Sequence, residues 1–115
     1  MRGLKIKLIL GAILLVLCRS IAASAQTVTG DIGGIVADNS GAVIVGAQVT
    51  ATNVATTIAS STVTNKDGVY SIRFLPIGTY KVTISAAGFG TQTFRPFLLD
   101  VAQVAEVNAK LKAGE

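Results

Sequence analysis

An antiparallel β-sandwich of about seven strands is the fold that this sequence predicts. Two alternating runs carry most of the prediction, Val69–Leu75 and Thr79–Ala86. Alternation groups Tyr70, Ile72 and Phe74 against Ser71 and Arg73 in the first run. In the second it groups Tyr80, Val82 and Ile84 against Lys81, Thr83 and Ser85, the period of a half-buried strand. Turn signals recur about every 8–12 residues, and convincing helical periodicity is absent beyond residue 25. A tight Asp67-Gly68 turn precedes the two runs, and Pro76-Ile77-Gly78 separates them. They are expected to form a β-hairpin whose apolar face covers another sheet.

The chain opens like an export signal. Arg2, Lys5 and Lys7 form a positive n-region, Leu8 to Cys18 an apolar core, and Ala23-Ser24-Ala25 an A-x-A cleavage pattern. The apolar run is shorter than the ~20 residues that span a bilayer as a helix. The expected organisation is therefore a cleavable signal peptide helix over 1–25 and one domain over 26–115. Arg19 is unusual just after an apolar core, and an uncleaved anchor is the competing reading. Lipidation of Cys18 is disfavoured, because Leu17 is large where a lipobox needs a small residue.

Removing the leader changes the charge. Four of the ten Lys and Arg lie in it, which leaves six against six acids (Asp31, Asp38, Asp67, Asp100, Glu106, Glu115) and no net charge. The basic pI thus gives no case for nucleic acid, which needs a clustered basic surface. The 90 residues from Gln26 suffice for one small domain. With Cys18 gone no disulfide is available, so stability must come from the core. No later apolar run approaches membrane-spanning length, so the mature domain is expected to be soluble.

Thr27–Ala37 reads as the first strand, with Ile32, Gly34 and Val36 on one face. Asp38-Asn39-Ser40-Gly41 is a turn whose short polar side chains bond nearby backbone. Ala42–Gly46 is an apolar loop. Ala47–Asn53 sets Ala47, Val49 and Ala51 inward as the second strand. Ile58–Thr64, rich in Ser and Thr, is expected to be an edge strand. Thr62→Pro is the natural sequence-level probe of that edge. Ala87-Gly88-Phe89-Gly90 is a turn placing Phe89 over the sandwich end. Thr91–Arg95 is a short strand stopped by Pro96, and Phe97, Leu99 and Val101 are in phase in the next. Ala105–Lys112 alternates Ala105, Val107, Ala109 and Leu111 against Glu106, Asn108, Lys110 and Lys112, a strand with one wet face.

Several pieces together resemble the carboxypeptidase regulatory-like family. They are Ile32-x-Gly34-x-Val36-x-Asp38, Gly41, Gly46-Ala47-x-Val49, Asn65-x-x-Gly68-x-Tyr70, Leu75-Pro76-x-Gly78-Thr79-Tyr80-x-Val82 and Gly88-Phe89. The resemblance covers Asp31–Leu111 and implies a transthyretin-like (prealbumin-like) Greek-key sandwich, related to the Cna B-type repeats of surface proteins. Val43-Ile44-Val45 stand where the family often has prolines. A signal peptide followed by one such domain resembles the N-terminal extension of a TonB-dependent outer-membrane receptor. Lys112-Ala113-Gly114-Glu115 stands where a linker to the receptor plug would begin. A truncated frame, a fragment and a free-standing secreted module all remain open.

The catalytic inventory is thin. The sequence has no histidine, and its single cysteine is in the leader. That removes Ser-His-Asp and Cys-His arrangements and the usual His/Cys zinc sites. The peptidase of the family name belongs to a separate metal-binding domain, and a transthyretin-like ring hydrolase also needs histidines. Asp38 and Asp67 adjoin glycine turns and are expected to accept backbone N–H bonds there. Asp31, Asp100 and Glu106 are dispersed, and no calcium loop is present. The mature lysines are Lys66, Lys81, Lys110 and Lys112, none in the first strand, so the Lys–Asn crosslink of some Cna B-like domains is not expected. Gly30, Gly33 and Gly34 lack phosphate-loop spacing and read as sites of close packing or a bulge.

No catalytic, cofactor or metal residue is therefore assigned. The expectation is a non-enzymatic, exported interaction or spacer module with a protein partner or neighbouring receptor domain, in the periplasm, at the outer membrane or secreted. Edge pairing through Ile58–Thr64 is its expected contact. A carbohydrate-binding module of starch-binding-like fold at the cell surface is the alternative. The chain has no Trp, Tyr70 and Tyr80 fall in phase with inward residues, and an exposed pair among Phe89, Phe94 and Phe97 would be the best platform.

Overall fold

The computed structural model describes residues 28–114. The expected leader, 1–25, lies outside the described residues.

Nine strand segments build two sheets. They are β1 (Thr29–Asp38), β2 (Gln48–Asn53), β3 (Ala59–Val63), β4 (Val69–Pro76), β5 (Gly78–Ser85), β6 (Gln92–Thr93), β7 (Phe97–Leu99), β8 (Val104–Glu106) and β9 (Ala109–Leu111). β1 lies between β4 on one side and β8 and β9 on the other. The second sheet runs β3-β2-β5-β6, with β7 also on β5. β6 and β7 lie along one flank of β5, and Phe94 N–H donates to Val82 O between them. They act as one interrupted strand, as do β8 and β9. The nine segments thus amount to seven strands, three facing four.

The core lies between the sheets and follows the alternation. Ile32 and Val36 of β1, Val49 and Ala51 of β2, Val82 and Ile84 of β5, Leu99 and Leu111 are buried. Tyr70 and Tyr80 are 3% and 2% exposed. Their hydroxyls donate to Val107 O at 2.6 Å and Pro76 O at 2.7 Å. Each phenol fills the interior while its one polar atom is satisfied.

Four expectations are corrected. β4 and β5 are not a hairpin: β4 pairs β1, and β5 pairs β2, β6 and β7 in the other sheet. Ile77 is the only residue between them, too few for even the shortest common hairpin loop. A crossing sets two apolar faces opposite one another, whereas a hairpin sets them side by side. Gly78 turns the corner at φ 152°, and the Tyr80 hydroxyl closes back on Pro76.

Phe74 does not join Tyr70 and Ile72 inside; it is 69% exposed. Gly30 pairs Leu75 while Ile32 pairs Ile72, so Arg73 and Phe74 together oppose Asp31. This is a bulge. It puts Phe74 at φ 58° and turns Leu75 into the core in its place.

The C-terminal strand is broken, and it runs parallel to β1. The same offset of 73 residues holds in both halves, so the register does not slip. In an unbroken parallel ladder the Ile35 N–H would bond the Val107 carbonyl. Here it donates to Asn108 Oδ1 at 2.8 Å, while Val107 N–H keeps its ladder bond to Gly33 O at 2.9 Å. The displaced Val107 carbonyl occupies the space over Gly34, where a Cβ would collide with it.

Val101, expected in phase with Phe97 and Leu99, is exposed. The chain leaves β7 into a turn there, with Ala102 at φ 54°.

Candidate functional site

The two Gly turns are held differently. Asp38 Oδ1 accepts Ser40 N–H at 2.8 Å, the Ser40 hydroxyl at 2.6 Å and Ala42 N–H at 3.1 Å. The Ser40 hydroxyl bond leads in holding this carboxyl below the usual range. At the second turn it is Asn65, not Asp67, that accepts: its Oδ1 takes Asp67 N–H at 2.9 Å and Val69 N–H at 3.0 Å. An Asx side chain a few residues before the glycine was the signal for this.

The dispersed acids stay apart. Asp31 serves the bulge, where Oδ1 accepts Phe74 N–H at 3.0 Å and Oδ2 lies 3.8 Å from Arg73 Nε. The Arg73 guanidinium stands 4.9 Å from the Phe74 ring centroid. Asp100 Oδ1 accepts Val101 N–H, and Glu106 Oε1 accepts Asn108 Nδ2–H. Among the described residues no three His, Cys, Asp or Glu side chains group as metal ligands would.

The three phenylalanines named as the best sugar platform do not form an exposed pair. Phe89, Phe94 and Phe97 are half-buried against the core. Phe74 is the largely exposed ring among the described residues.

β3 forms an open edge of the second sheet. β3 pairs β2 alone. Thr64 N–H donates to Ala47 O and Asn53 N–H to Ile58 O. Alternation along an antiparallel ladder then aims the N–H groups of Thr62 and Ser60 at β2, and those of Ala59, Ser61 and Val63 away from the sheet. Thr62 is therefore the wrong place for a proline probe, and Ser61 is the right one. Both ends of the edge are anchored. Thr64 Oγ1, buried, donates to Ile44 O at 2.6 Å and accepts Ala47 N–H at 2.9 Å. Asn53 Oδ1 accepts Ala55 N–H and Thr56 N–H in the preceding turn.

This edge lacks the usual protections. Ala59-Ser60-Ser61-Thr62-Val63 has no charge, no proline and no bulge, the devices that stop sheets from pairing edge to edge. Ile58 and Val63 at its ends are 68% and 61% exposed. Beside it lies a cleft of about 100 Å³, lined by Ile58 and Ser60, by Leu75 and Pro76, and by Asn53 and Tyr80. An added strand would take its affinity from the backbone groups and its selectivity from a side chain in the cleft.

Comparison with known proteins agrees with this architecture. The profile of the carboxypeptidase regulatory-like domain matches residues 31–112. No curated protein sequence matches the chain. Among solved structures, the Bacillus anthracis TIE protein is similar at 21% identity and a TM-score of 0.63, over 75% of this chain and 17% of that one. The group B streptococcus pilus 2b backbone protein gives 20% and 0.59, over 75% and 42%. Catechol 1,2 dioxygenase of Acinetobacter radioresistens gives 14% and 0.62, over 78% and 53%. The chain thus spans little more than half of these proteins at most, and at such identities the likeness is one of fold.

Proposed function

Because the chain belongs to the carboxypeptidase regulatory-like domain family, we propose that it is a non-catalytic, exported β-sandwich module that recognises a protein partner by strand addition at β3. Its setting is the N-terminal interaction and spacer domain of a TonB-dependent receptor-like outer-membrane protein. The observation that carries this reading is the uncharged, unguarded β3 edge beside its cleft. The leader pattern at the start of the sequence supports export. The absence of histidine supports a non-catalytic role. The dioxygenase likeness, at 14% identity, is one of fold and brings no chemistry to this chain.

The carbohydrate alternative has less support, since both tyrosines are spent on the core. A photo-crosslinking amino acid at Ala59 or Val63, in chain exported by Gram-negative cells, tests the primary reading. Crosslinks to an envelope protein should form at these positions and disappear with Ser61→Pro. No crosslink, or one that Ser61→Pro leaves undiminished, rules out the β3 edge. Recovery of the tagged chain from the cytosol alone rules out the exported setting.

A further inference from the structure

The first and last strands of the described domain are neighbours in one sheet and run the same way. Thr29 lies beside the turn before β8, where Ala102 N–H donates to Thr29 O. At the far end Asp38 pairs Leu111. The chain therefore enters the sandwich at one end and leaves it at the other, along adjacent strands. We infer that β1 and β8–β9 form a mechanical clamp, and that the domain bears tension along its long axis. This deepens the spacer reading above and rests on it.

Tension between the two ends pulls β1 and β8–β9 past one another along their length. The bonds between them lie across that direction and are loaded together. They include Ala102 N–H to Thr29 O at 3.0 Å, Asp31 N–H to Gln103 O at 2.8 Å, Val107 N–H to Gly33 O at 2.9 Å and Ile35 N–H to Asn108 Oδ1 at 2.8 Å. A second barrier lies in the side chains. Sliding by one residue would turn the buried Ile32 and Val36, or Ala109 and Leu111, to the outer face. The next compatible register is two residues away, roughly 7 Å. Asn108 keeps the ladder continuous where the strand breaks, so the load passes from β8 to β9 without a gap. Separating the same strands from the Asp38–Leu111 end would break their bonds one after another.

Forced unfolding reads the unfolding barrier directly. The full chain with Cys18→Ser is held in optical tweezers through cysteines at Thr27→Cys and Glu115→Cys for the long axis. Asn39→Cys and Lys112→Cys, both at exposed positions, serve for peeling. The long-axis rupture force should clearly exceed the peeling force, and Asn108→Ala should lower the first more than the second. Equal forces on the two axes, or a long-axis force that Asn108→Ala leaves intact, overturn the clamp. The measurement needs no partner, so its failure leaves the β3 contact standing, and a failed crosslink leaves the clamp standing.

Discussion

The Tyr70 hydroxyl donates to the Val107 carbonyl at 2.6 Å, across the two strands that flank β1. That carbonyl is the one the Asn108 side chain has displaced from the ladder. Replacing Tyr70 with Phe keeps the ring and removes the donor. The cost expected is about 1–3 kcal/mol, that of a buried acceptor left without its partner. Urea unfolding of the two proteins measures it, and an unchanged midpoint would show that the bond contributes nothing.

Burial pushes the Tyr70 phenol up from 10.0 to about 12. Folding thus favours its neutral form. The stabilisation is whole below the unfolded value and is lost as pH rises from there toward the folded one. Between pH 10.0 and about 12 the protein should lose about 2–3 kcal/mol through this group. Tyr70→Phe should lack that component of the alkaline loss, which stability measured at several pH values in this window would reveal.

Gly34→Ala should be far more damaging than Gly33→Ala. The added methyl at Gly34 collides with the Val107 carbonyl, whereas at Gly33 it meets Tyr70 O at 3.2 Å. The first contact is with backbone that Tyr70 and Asn108 hold in place, so the strands must part. A loss beyond the ordinary ~0.5–3 kcal/mol range is expected for Gly34→Ala, read as a lowered melting temperature or failure to fold.

At the bulge opposing effects meet. Phe74→Gly relieves a left-handed residue, worth roughly 1–2 kcal/mol, and forfeits the stacking of Arg73, worth about 0.5–1 kcal/mol at an exposed site. Glycine's extra freedom in the unfolded chain costs a further ~0.5–1 kcal/mol, so the variant should stay within about 1 kcal/mol of the parent protein, by the sum of those ranges. Clear destabilisation in denaturant melts would mean that Phe74 packs more than its exposure indicates.

Ser61→Pro and Thr62→Pro should separate cleanly. The first removes an N–H aimed away from the sheet, a position an edge strand tolerates. The second removes a bond to β2 and should destabilise by about 1–3 kcal/mol. Equal melting temperatures for the two would contradict the ladder phase assigned to β3.

Which side chains fill the core was legible from alternation alone, because period two maps directly onto face. Tyr70, Ile72, Tyr80, Val82 and Ile84 lie where that pattern puts them. Pairing was less legible. Nothing local distinguishes a hairpin at Pro76-Ile77-Gly78 from a crossing, since both strands keep the same faces; only the partners β1 and β2 decide it. Phe74 misled for a related reason. A bulge shifts the phase of every later residue in its strand, and the carboxylate that accepts its Phe74 N–H, Asp31, is far away in sequence. The break at Val107-Asn108 had a partial signal in Gly34, whose missing side chain marked a close approach without saying by what. The edge character of Ile58–Thr64 was readable from its low apolar content, but the phase of its N–H groups was not.

The arrangement of β1 has a temporal consequence. It is synthesised before every other strand of the domain, yet half its partners, β8 and β9, are made last, about 73 positions later in the chain. Contacts so distant in sequence are slow to form, and until they do an apolar strand stands without a neighbour on one flank. The domain therefore cannot mature progressively as it emerges. Its first segment waits for its last, and any factor that shields a nascent strand would act during that interval.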